Sequence, residues 1–142
     1  METLGQLRDR FTLSAARWVI RVNEEFGYTL RICEALRSDE QAEINAMGAA
    51  GRAELVAYLQ PHFPVLAGKI KNNAGSGIRN SLHELGLAGD YQLFVGGRWI
   101  SDGTVPEWRK VGELWESMGE DHAWGGRFGD SNHISIAFGG RK

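Results

Sequence analysis

The chain has 142 residues, enough for one domain with a real hydrophobic core. Its 16 Lys and Arg against 18 Asp and Glu give a formal net charge of −2, with no basic run carrying interleaved aromatics. That balance exerts no long-range pull on DNA, RNA or anionic lipid and argues against a nucleic-acid partner.

The first ten residues, Met1 to Arg10, carry charges throughout and lack an apolar h-region, so no secretory signal is expected there. No window approaches the roughly 18 apolar residues of a membrane span, and membrane insertion is not expected. The protein should be made and first kept in the cytoplasm. From Leu4 to Phe26, the residues Leu7, Phe11, Ala15, Trp18, Val19, Val22 and Phe26 recur at three- and four-residue steps. This is the period of an amphipathic helix, and Gly27 suits the residue just past its end. Tyr28 to Ala35 is rich in β-branched and apolar residues and predicts a short strand. Cys33 lies within it. As the one cysteine it cannot form an internal disulfide, and its apolar neighbours predict a buried small hydrophobe.

Ser38 followed by Gln41 is a capping-box pattern, so a second helix is expected to begin there and carry Ala42 to Met47. Arg37 then stands where a strand ends and a helix starts. Gly48 to Gly51 should break the helix, and Glu54–Leu59 and Pro64–Lys71 read as two helical pieces around a Pro-His-Phe-Pro turn. His62 in that turn reads as a surface histidine. Lys71 to Gly77 has the composition of a flexible loop at a rim. Leu87 to Val95 alternates as a strand, Gly96-Gly97 is a hairpin signal, and Arg98 to Ser101 is the return strand. Thr104 to Glu107 is a second capping-box pattern with proline in the first turn. The helix it opens places Trp108, Val111, Leu114, Trp115 and Met118 on one stripe, and Gly119 should end it. Glycines then interrupt the chain until Asn132. A last strand is expected over His133–Phe138, with Ile134, Ile136 and Phe138 facing the core and His133, Ser135 and Ala137 facing the other way.

These elements describe a small α+β domain over 1–142. A helical part, 1–75, would pack against a short antiparallel sheet, 76–142, which would carry the chemistry. A catalytic zinc takes three protein ligands and keeps a fourth position open. His83 precedes one strand, Asp90 lies on it and His133 starts another. If the two strands are neighbours, the three side chains meet on one face. Gly86 and Gly89 would let the backbone turn closely between the first two. The absence of thiolate ligands excludes a Cys-rich structural site, and a His-Asp-His set suits Zn²⁺ while accepting other divalent ions. His122 could replace His133 on composition alone; a strand holds His133, which favours it. Asp130, three residues before His133, is the candidate proton carrier, and Arg37 a candidate for holding an oxyanion.

At these residues the chain resembles a known family. Ser81-x-His83-x-x-Gly86-x-Ala88-x-Asp90 resembles the Ser-x-His-(x)6-Asp motif of the zinc D-Ala-D-Ala carboxypeptidase and L-alanyl-D-glutamate peptidase group. Trp124-Gly-Gly-Arg-Phe followed by Asp130-x-x-His133 is similar to that group's C-terminal signature. Arg37-Ser-Asp-Glu-Gln41 is similar to its Arg-(Ser/Thr)-x-x-Gln segment. The likeness covers about 28–138, with 49–73 departing from it as a longer insertion. It implies His83, Asp90 and His133 as zinc ligands, Asp130 as general base and acid, and Arg37 on the substrate carbonyl or carboxylate. It further implies Gln41 and Ser81 lining the cleft and Trp124 packed beside the metal or the peptide. An aspartate rather than a glutamate at position 130 resembles the phage endolysin branch. The resemblance therefore implies a peptidoglycan endopeptidase cutting the L-Ala–D-Glu bond, released from the host cytoplasm with the help of a partner holin; a monomer is expected. A D-alanyl-D-alanine carboxypeptidase on the same fold and a non-catalytic zinc-containing wall-binding module are the alternatives.

Overall fold

The computed structural model describes residues 1–34, 47–72 and 81–142. Arg37, Gln41 and the capping-box pattern at Ser38 lie outside the described residues, as do most of the expected second helix and loop. The architecture is α+β: four α-helices among the described residues, and a five-stranded antiparallel sheet.

Helix α1 runs Leu4–Phe26, as its apolar spacing predicts. Thr3 and Gln6 close a capping box at its start, and Gly27, at φ 67°, ends it with a left-handed turn. Its stripe of Leu7, Phe11, Ala15, Trp18 and Val22 is buried. Strand β1 (Thr29–Glu34) pairs with β2 (Ala88–Val95), which turns through Gly96 and Gly97 into β3 (Arg98–Ile100). Both glycines have positive φ, 55° and 76°, the pattern of a type I′ hairpin turn. The free half of β2 pairs with β5 (His133–Ile136), and β5 pairs with β4 (His122–Trp124). Helix α4 (Pro106–Glu116) and α1 lie together on one face of this sheet. Trp18, Tyr91, Phe11 and Trp115 interlock there edge to face, and the Trp18 indole donates 2.7 Å to the carbonyl of Val111. Arg10 of α1 clamps Asp121, just before β4, through two bonds of 2.9 and 2.6 Å. Between β1 and β2 in sequence, α2 (Ala49–Leu59) and α3 (Pro64–Asn72) form a helical hairpin packed mainly on itself.

Several local expectations are corrected. Gly48 is the residue capping α2, but Gly51 lies inside that helix rather than breaking it. Val105, not Thr104, caps α4; Thr104 instead bonds the Asp102 carboxylate through both its amide and its hydroxyl. Helix α4 stops at Glu116, before Gly119. Cys33 is exposed, because it is the extra residue of a β-bulge where the β1–β2 register shifts between Ile32 and Glu34. Phe138 lies beyond β5 and is 42% exposed, so the core face of that strand ends at Ile136. Strand β4 falls in the glycine-interrupted stretch that showed no strand signal. His62 is exposed.

Candidate metal centre

Antiparallel register decides which side chains share a face, because directly opposed residues project the same way. Asp90 of β2 stands opposite His133 of β5. Both point away from the layer holding Trp18 and Trp115. The neighbours on that face, Ala88, Ala123 and Ser135, are small, and Ala88 and Ser135 are fully buried. The expected neighbour relation between the two strands is therefore present.

His83 arrives from outside the sheet, on a single helical turn over 81–87. Ser81 and Glu84 form a capping box at its start: the Ser81 amide donates to the Glu84 carboxylate, and the Ser81 hydroxyl accepts from the Glu84 amide at 3.4 Å. At the other end, Gly86 N–H donates to His83 O (3.1 Å) and Leu87 N–H to Leu82 O (2.8 Å). With Gly86 at φ 68°, this is a Schellman close. A side chain at Gly86 would be strained there, whereas Gly89 lies in regular strand opposite Ile134 and needs no left-handed conformation. One glycine, not two, makes the approach. Leu82 and Leu87 anchor the turn in the core, and Arg8 of α1 donates to the carbonyl of Leu85 at 2.7 Å. His83 is thus held by both ends of its own turn.

The three donor atoms converge. His83 Nε2 lies 3.2 Å from His133 Nδ1 and 3.4 Å from Asp90 Oδ1, and His133 Nδ1 lies 3.2 Å from Asp90 Oδ1. Both histidines are buried, at 5% and 9% exposure, and Asp90 is half-buried. A tetrahedral cation with bonds of roughly 2.0–2.1 Å spaces its ligands about 3.3 Å apart, which these edges match. A proton on one ring nitrogen satisfies one edge of this triangle; a cation satisfies all three. The His83–Asp90–His133 group can therefore hold a metal ion. Burial raises the pKa of Asp90, but the hydrogen bonds with His133 and His83 outweigh it and hold the carboxyl well below its usual range. The group is charged, ready to ligate.

Asp130 stands at the edge of this triangle. Its carbonyl accepts from the His133 amide at 3.1 Å and its amide donates to Gly125 O at 2.9 Å, which fixes the turn between the two residues. The residue is exposed, yet its carboxyl group is desolvated, which raises its pKa. The positive field of His133 and His83 opposes that rise and the charge of Asp90 adds to it. Gly125 permits the arrangement: a Cβ there would collide with the Asp130 carbonyl and with His133.

Trp124 lies opposite Ile134, on the core face. Its indole packs on Gly112 of α4 and on Gly126, leaving no space for a Cβ at either, and its Nε1 donates to the carbonyl of Ser131 at 2.8 Å. It braces the 129–132 turn from behind rather than facing the triangle. His122, the alternative ligand, is also buried but on the core face, 4.3 Å from the Trp115 ring and 3.3 Å from Asp121. It takes no part in the cluster. Phe128, whose ring centre lies 6.5 Å from that of His133, forms a rim that composition did not single out.

No family model matches the chain, and no curated protein matches it significantly. No helix among the described residues is long and apolar enough to cross a membrane.

Proposed function

We propose that the chain is a zinc peptidase of peptidoglycan stem peptides, an endolysin-type enzyme that cuts between L-Ala and D-Glu. The observation that carries this reading is the donor triangle with a desolvated carboxyl one turn away. Two imidazoles, one carboxylate and no thiolate form the donor set of a hydrolytic rather than a structural zinc. Zinc bound there would supply a water of lowered pKa and polarise the scissile carbonyl. Asp130, with its raised pKa, is suited to accept a proton from the nucleophile and return it to the leaving amine. Trp124 and Gly125 hold the turn that positions it. Following the motif likeness, Arg37 would bind the substrate carbonyl or carboxylate, with Gln41 and Ser81 along the cleft. On this reading the protein acts as a monomer, is kept in the host cytoplasm, and reaches the wall once a holin opens the inner membrane.

Mass spectrometry of peptidoglycan digested by the zinc-loaded protein tests this. New L-Ala C-termini and D-Glu N-termini are expected. Release of free D-Ala alone would make it a D,D-carboxypeptidase instead. Wall binding without any product would make it a binding module.

A further inference from the structure

A cleft of about 370 Å³ opens beside the donor triangle. Asp130, at the edge of the triangle, lines the cleft, while His83, Asp90 and His133 do not. Gln92 lines it from β2, two residues from Asp90 and so on the same face, and Asn132 lines it from the residue before His133. Trp99 and Ser101 close the far side. The volume falls within the roughly 300–1,000 Å³ of small-molecule sites.

Trp99 is 60% exposed, in contrast to Trp108 behind it, which is 3% exposed and donates its indole hydrogen to Ile100 O. Trp99 stands opposite Phe94 on β3, so its ring shares the face of Gln92 and Asp90. The core does not use it. The side-chain amides of Gln92 and Asn132 and the hydroxyl of Ser101 make no hydrogen bond within the described residues. None of the described lining residues is Lys or Arg, and Asp130 is acidic. A carboxylate or phosphate would find no cation there and one repelling charge. A flat aromatic surface with free amides and a hydroxyl instead suits a neutral ring that has one C–H face and an edge of hydroxyl and acetamido groups.

We propose that this cleft binds an N-acetylated sugar carried by the peptide, so that the enzyme acts on glycan-borne stem peptides in preference to free ones. The inference rests on the peptidase reading for its connection to the reaction. In peptidoglycan the L-Ala amine is joined to the lactyl group of N-acetylmuramic acid, and the sugar therefore lies one residue from an L-Ala–D-Glu bond held at the metal. Trp99 would stack on the pyranose, and Gln92 and Asn132 would bond its acetamido group.

Two measurements test the proposal separately from the chemistry. The first titrates the protein with the disaccharide of N-acetylglucosamine and N-acetylmuramic acid whose lactyl carboxyl is capped as its methylamide, so that the probe is neutral like the glycan-borne unit. The Trp99 indole N–H resonance, assigned by its loss in Trp99→Phe, is expected to shift, and an unchanged resonance overturns the proposal whether or not peptides are cleaved. The second compares cleavage of N-acetylmuramyl-L-Ala-D-Glu-diaminopimelate with the same peptide carrying acetyl in place of the muramyl group. The muramyl substrate is expected to have the lower KM, and Trp99→Ala to cut the ratio of the two kcat/KM values roughly tenfold. Equal losses on both substrates would show that Trp99 serves the peptide or the fold, and would contradict the sugar site. A resonance shift without cleavage of either substrate would sink the peptidase reading and leave the sugar site standing.

Discussion

The β4–β5 strands bury a histidine on each face, and the two fare differently. His133 meets His83 and Asp90 with donor atoms 3.2 Å away. His122 packs tilted against the Trp115 ring, and its Nε2 is buried without a partner among the described residues. Burial is nearly the same, 9% and 8%. Burial therefore does not make a ligand; convergence of lone pairs does. On the core face the neighbouring ring desolvates the imidazole and lowers its pKa, with the Asp121 carboxylate only partly opposing. On the other face a carboxylate and a second imidazole stand at ligand spacing, beside the small residues Ala88, Ala123 and Ser135.

The largest expected effect that sharpens this contrast concerns Asp130. Asp130→Asn keeps the turn and the donor triangle but removes the carboxyl that the proposed peptidase mechanism uses as its proton carrier. Hydrolysis of peptidoglycan should fall by roughly 10²–10⁴-fold with the bound metal unchanged. Turbidity clearing of purified walls checks the rate, and elemental analysis the metal. Undiminished clearing would remove Asp130 from the mechanism.

A smaller effect is expected behind the site. Gly112→Ala drives a methyl group into the Trp124 indole, so the ring or the helix must move. Overpacking of this kind costs roughly 1–3 kcal/mol, read as a lowered denaturant midpoint. Because Trp124 holds Ser131, activity should fall further than stability accounts for. A loss of stability with full activity would show that the brace does not reach Asp130.

The smallest effect separates the two histidines by pH. Burial against Trp115 keeps His122 less protonated in the folded protein than in the unfolded chain, where an imidazole titrates near 6.5. The unfolded state thus binds more protons, and stability rises with pH through this range. The contribution of His122 is complete above pH 6.5 and is lost progressively as the pH falls toward the folded value. In metal-free protein, His122→Leu should flatten that slope. A slope unchanged in the variant would assign it to other groups.

Much of this contrast was legible in the residues. The three- and four-residue apolar steps of α1 and α4 gave both helices, and alternation gave β2 with Asp90 on it. The choice of His133 over His122 rested on the strand that holds it and on the motif likeness; His122 also lies on a strand, β4, so the face each histidine takes, not the strand, separates them. Other features were hidden for identifiable reasons. Strand β4 has three residues and is followed at once by Gly125 and Gly126, so its period is too short to see. Its pairing with β5, a non-local contact, creates it. The bulge that exposes Cys33 depends on register, which a single strand's sequence does not carry. The Ser81–Glu84 capping box, in contrast, is legible as Ser-x-x-Glu in the sequence. The Trp124 contacts depend on Gly112, a residue that looks like an ordinary helix glycine until α4 and β4 meet.

The proposal at the centre is that the His83, Asp90 and His133 group, which can hold a metal ion, takes one zinc and that His122 does not. Isothermal titration of chelator-stripped protein with Zn²⁺ tests it directly. One equivalent should bind to the parent protein and to His122→Ala, and tight binding should be lost in His83→Ala, Asp90→Ala and His133→Ala, each shown folded by circular dichroism. Full binding in any folded triad variant, or its loss in a folded His122→Ala, would contradict the account.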